Sequence, residues 1–153
     1  LLQRLAGEAS VSSNDPFWNQ LLALPFHLPL SREDQQVLEE ATEVVAHELL
    51  QNQQKSGNFT SLVRVFLLRA AELKESASWS NDLFLWQTCN ALFVLRTCLK
   101  DFIETCADEA NVVHLFHPPR TADGVEHGNL LDAFLCALLE VVVDVPLSDA
   151  TYQ

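Results

Sequence analysis

A chain of 153 residues that is 48% hydrophobic suits one compact domain with a substantial core and excludes disorder over most of its length. Its 21 acidic against 9 basic residues, a net charge of −12, argue against a nucleic-acid backbone or an anionic lipid surface as the main partner. The acidity is read as solubilising charge on helix faces.

The first residues, Leu1-Leu2-Gln3, show no charged n-region, apolar h-region and small-residue cleavage site, and the chain is read as an excerpt of a longer one. Residues 1–13 are expected as a connector, a short apolar fragment running into polar "GEASVSSND". Asp15-Pro16 then predicts a helix start, with Asp15 as N-cap and Pro16 at the first helical position. That helix carries Phe17, Trp18, Leu21 and Leu22 and stops before Pro25, because "LPFHLPL" lacks two amide donors.

Ser31 with Asp34 resembles a capping box. The helix after it is expected to bury Val37, Leu38, Ala41, Val44, Val45 and Leu49, with Glu39, Glu40 and Glu43 solvated. It fades in "QNQQKSGN", where Gly57 is the expected terminator. Asn58 is read as the N-cap of a third helix, whose Phe59, Leu62, Val63, Phe66, Leu67, Ala70 and Leu73 recur at intervals of three and four. "KESASWS" breaks it, and Ser80 or Asn81 is expected to cap the next.

That next helix holds "SNDLFLWQTCNALFVLRTCLK", residues 80–100. From Leu83 to Leu95 only Gln87, Thr88 and Asn90 are polar, yet thirteen residues fall short of the roughly 20 a bilayer span needs. A first half apolar on nearly every side predicts the central helix of a bundle, its C-terminal half emerging through Arg96, Lys100 and Glu104. Gln87 and Asn90 fall on neighbouring sides of it and are expected to bond across to another helix or a chain end, since an unpaired buried amide costs about 1–3 kcal/mol.

From Asp108 to Gly128, ending in "HPPRTADGVEHG", an exposed loop is expected. A last long helix runs from about Asn129 to Val143, with Leu130, Leu131, Phe134, Leu135, Leu138, Val141 and Val142 inward, and Pro146 ends it. Its apolar arc is wider than one contact face requires, which predicts a bare patch around Leu139 and Val143. Pro-Leu-Ser recurs at 29–31 and 146–148, thin support for a helical repeat.

Cys89, Cys98, Cys106 and Cys136 all fall in helical patterns. Cys98 and Cys106 would lie about 12 Å apart along one helix, and Cys89 and Cys98 on opposite sides of it, so no disulfide closes within it. Buried reduced thiols in a cytoplasmic protein are expected. His114 and His117 have a spacing that can hold metal on a helix, with His127 and Cys106 as further candidates, but the prolines after His117 end any helix and exposed histidines are the reading. No nucleophile elbow, phosphate loop or paired-glycine fingerprint is present, so no catalytic, cofactor or metal residue is assigned. Trp18, Trp79 and Trp86 are expected to pack rather than to stack bases.

"NDPFWNQLL" at 14–22, "SGNFTSLVRVFLLRAAELKES" at 56–76, "FLWQTCNALF" at 84–93 and "VPLSDATY" at 145–152 resemble, in order and spacing, the N-terminal segment of the dymeclin family. The resemblance implies a peripheral, cytoplasm-facing protein of the Golgi apparatus, tied to Golgi organisation and vesicle trafficking, without known enzymatic activity. The family begins with a Met-Gly myristoylation signal; this sequence opens at Leu1, so that lipoprotein anchor is carried onto no residue here.

The fold expected is all-α, a helical bundle forming the N-terminal layers of an α-solenoid-like array. Residues 14–146 make the helical domain and 147–153 begin a next helix. Its core is expected at Trp18, Phe66, Trp86, Gln87, Asn90, Phe93 and Phe134. The function expected is a non-enzymatic scaffold or adaptor, its partners other proteins of the Golgi and trafficking machinery and the rest of its own chain. A lipid-binding peripheral membrane module is the alternative, and it needs Lys55, Arg64, Arg69 and Lys74 on one exposed face. A hydrolase is a more distant one, needing a polar cavity with His114 or His117 beside a nucleophile.

Overall fold

A computed structural model describes residues 1–24, 31–75, 82–106, 109–116 and 129–144. Among these the chain is all-α: α1 (Leu2–Ala6), α2 (Phe17–Leu21), α3 (Arg32–Ser56), α4 (Asn58–Glu75), α5 (Asp82–Cys106), α6 (Glu109–Phe116) and α7 (Leu130–Asp144). Residues 147–153, Trp79, His117, His127 and the second Pro-Leu-Ser lie outside the described residues.

The helix boundaries follow local chemistry. The Asp15 carboxylate accepts the Phe17 amide at 2.8 Å and so opens α2. The Ser31 hydroxyl accepts the Asp34 amide at 3.2 Å and donates to the Asp34 carboxylate at 2.7 Å, a side-chain form of the capping box. Gly57 ends α3 at φ 65°, the left-handed conformation that glycine adopts without steric cost, and its amide closes on the Gln53 carbonyl. One residue later α4 begins, so α3 and α4 form a hairpin.

Helix α5 packs on both α3 and α4. It runs parallel to α3, where Glu43 meets Lys100 and His47 meets Asp101. Helix α7 runs parallel to α4, fastened by Phe66 on Phe134 at one end and Lys74 with Glu140 at the other. Phe59, Phe116, Phe134 and Phe66 form a chain of ring contacts at 5.6–6.1 Å that joins α4, α6 and α7.

The structure differs from the sequence expectation in several places, Cys136 among them, which is exposed where buried thiols were expected. Residues 1–13 are no connector: Leu5 and Val11 are buried in the core, and α1 packs on α3. Helix α3 keeps part of its expected face, with Leu49 buried and Leu38 and Val45 packed against the core, but is rotated away from the rest. Val37 and Val44 are exposed, and the buried stripe is Thr42, Ala46, Leu49, Gln53 and Ser56. Polar side chains satisfied by local partners can line a core, so the apolar set alone misplaced the phase. Thr42 does this by donating to the Leu38 carbonyl at 2.7 Å. The expected loop from Asp108 starts instead with α6, which drives Leu115 and Phe116 into the core. Helix α5 is well covered only from Gln87 on; Leu83 is exposed, and Trp86 is half-buried. On α7 Leu130 and Phe134 are buried, whereas Leu135 and Val142, expected inward, are exposed.

Candidate functional site

Of the residues expected in the core, Trp18, Phe66, Gln87, Asn90 and Phe134 are buried, and Phe93 is half-buried against the cluster. Three buried amides hold the fold together. The Asn90 amide donates to the carbonyls of Leu22 at 2.7 Å and Leu24 at 2.6 Å, fixing the exit of α2 on α5. The Trp18 indole donates to the Ser12 carbonyl at 2.7 Å, which leaves none of its polar edge for a ligand.

Asn58 does not cap α4 as expected. Its carbonyl oxygen accepts the Val11 amide at 2.8 Å, and its amide nitrogen donates to Leu5 at 3.0 Å and Ala9 at 2.9 Å. The residue is fully buried, so the Asn58-Phe59-Thr60 sequon is closed to a glycosylating enzyme in the folded chain. The first turn of α4 is capped by Gln53 instead, whose side-chain oxygen accepts the Phe59 amide at 3.0 Å. The Gln53 amide nitrogen reaches Thr60 at 2.7 Å and the Leu115 carbonyl at 2.8 Å, which anchors the end of α6. Sequence reasoning missed both roles; the one signal was an amide-rich run at a helix break.

A cavity of about 230 Å³ with a mixed lining opens between α3, α5 and α6, where His47, Gln51, Asp101, Thr105 and His114 join Leu50, Phe102 and Leu115. His47 Nδ1 faces Asp101 at 3.1 Å, and its Nε2 faces the Gln51 amide nitrogen at 2.8 Å. Both ring nitrogens thus have a side-chain partner. Thr105 spends its hydroxyl on the Asp101 carbonyl at 2.7 Å. Among the described residues no three His, Cys, Asp or Glu side chains could hold a metal ion.

Five cations of the described residues are similarly occupied. Arg4 pairs with Asp15 and lies over the Phe17 ring, Lys55 with Glu8, Arg69 with Glu72 and Asn19, Lys74 with Glu140, and Lys100 with Glu43. Glu43 also raises the Lys100 ammonium pKa above its ordinary value. Arg64 and Arg69 are half-buried, so with Lys55 and Lys74 they form no open basic face. No helix of the described residues is long and apolar enough to cross a membrane.

Among the described residues the open surface also includes an aliphatic region. A groove of about 440 Å³ runs between α5 and α7, floored by Leu95 and Phe134 and walled by Leu92, Leu99, Ile103 and Leu138. Beside it Leu135, Leu139, Val142 and Val143 stand out from α7, the last two 72% and 79% exposed. A second stripe, Val37 and Val44, lies on α3.

Over residues 1–153 the chain matches the family model described as "Dymeclin: Dyggve-Melchior-Clausen syndrome protein". It is similar to dymeclin of Gallus gallus, 42% identical with 99% of this chain and 23% of the relative covered. Mus musculus dymeclin is 40% identical, again covering 99% and 23%, and Drosophila melanogaster dymeclin is 27% identical, covering 99% and 26%. The chain thus spans about a quarter of the length of these relatives. No solved structure matches it.

Proposed function

The chain belongs to the dymeclin family, and from that premise we propose that it is a non-enzymatic scaffold or adaptor segment of a Golgi-associated peripheral protein, serving Golgi organisation and vesicle trafficking. The observation that carries this reading is the family match along all 153 residues. Its partners are other proteins of the Golgi and trafficking machinery. The segment belongs to the first helical layers of an α-solenoid-like array, and membrane association comes through the whole protein.

The lipid-binding alternative fares worse on two counts. A net charge of −12 repels anionic headgroups, and five cations sit in ion pairs with the chain's own carboxylates. Affinity capture with the complete protein, with and without residues 1–153, tests the adaptor reading. The expected result is a set of Golgi proteins captured only when the segment is present. An identical set without it sinks the proposal.

A further inference from the structure

We propose that the groove between α5 and α7 seats a helix from the part of the family chain outside these 153 residues, so that this face is an internal seam rather than a docking site for another protein. The inference rests on the scaffold reading and says which surface that scaffold keeps for itself.

Three observations carry it. First, the groove continues the core: Leu95 and Phe134 on its floor are 1% and 3% exposed and belong to the main hydrophobic cluster. An occupant would therefore extend one core rather than touch a separate patch. Secondly, α5 and α7 flank α4 in opposite directions and leave an open channel between them. From Leu92 to Ile103 its wall is about 16 Å long by the helical rise, room for three turns of an incoming helix. Thirdly, the relatives keep about three-quarters of their length outside the matched region, since the match covers 23% of each of the two vertebrate ones. A tethered helix competes at high effective concentration against any separate partner. The rim adds no pull towards a charged stranger. It carries Arg96, Lys100 and Glu104, mixed in sign, with Lys100 already held by Glu43.

The test uses protein made from the complete coding sequence. Ile103→Cys and Val142→Cys variants are alkylated with maleimide, and Glu40→Cys on the exposed side of α3 serves as the open reference. Seating of a tethered helix predicts labelling of positions 103 and 142 at least about tenfold slower than at 40, unchanged across a hundredfold dilution. Carbene footprinting of Leu139 and Val142 in the unsubstituted protein gives the same readout should a variant misfold. Reaction at the reference rate in the purified protein overturns the proposal. So does protection that disappears on dilution, which would mean a second copy. Either outcome leaves the affinity-capture test of the adaptor reading standing, so the two can fail separately.

Discussion

Asn58 binds three backbone groups of the N-terminal segment at once, and replacing it strands them in the core. Each orphaned group costs about 1–3 kcal/mol, so Asn58→Ala should destabilise the fold well beyond the exposed cap substitution Asn129→Ala, worth about 1 kcal/mol. Asn58→Asp should be at least as damaging, because a carboxylate would then face the Leu5 and Ala9 carbonyls. Urea midpoints of the three variants check the order, and equal midpoints for positions 58 and 129 would remove the clamp. Burial drives the Cys98 thiol pKa up to about 12, with Asp101 adding to it. A raised pKa keeps it protonated at pH 8.5, so it should resist alkylation there while exposed Cys136 reacts. Peptide mapping after iodoacetamide reads both. Asn90 was legible in the sequence because an amide inside an apolar run has to find partners. Asn58 was not, since an amide after a glycine is equally well explained as a helix cap, and its partners lie about 50 residues away.

Among the helices, the existence of α3, α4, α5 and α7 follows from caps, glycine and proline, and those signals are local. Which side of α3 faces inward is not local. Gln53 and Ser56 earn their place in the core through bonds to Leu115, Phe59, Thr60 and Asn52, none of which helical periodicity contains. The corrected phase makes a direct prediction. Leu49→Ala, on the buried stripe of the same helix, should cost about 2–5 kcal/mol, as a fully buried leucine does. Val44→Ala, on the face expected to be buried but 60% exposed, should stay within about 0.5 kcal/mol. Comparable losses in denaturant titration would restore the original face. Helix α6 escaped notice because its eight residues are too few for periodicity to register, and the prolines beyond it made the whole stretch look like loop.

Among the described residues, hydrogen bonds and ion pairs engage many of the polar groups that could do chemistry. His47 is satisfied on both nitrogens, three core amides close on backbone carbonyls, and five cations lie in ion pairs. Among the described residues, exposed aliphatic side chains gather on α7 beside the groove it forms with α5, amid solvated acidic helix faces. The class of fold was legible from composition and periodicity, whereas the surface left open depends on how α7 sits on α4, a tertiary fact. Binding of complete, non-acylated protein to Golgi membranes before and after protease shaving tests the central claim most directly. The account predicts binding to intact membranes that is lost on shaving, with none to protein-free vesicles of phosphatidylserine and phosphatidylcholine. Binding that survives shaving, matched by those vesicles, would contradict it.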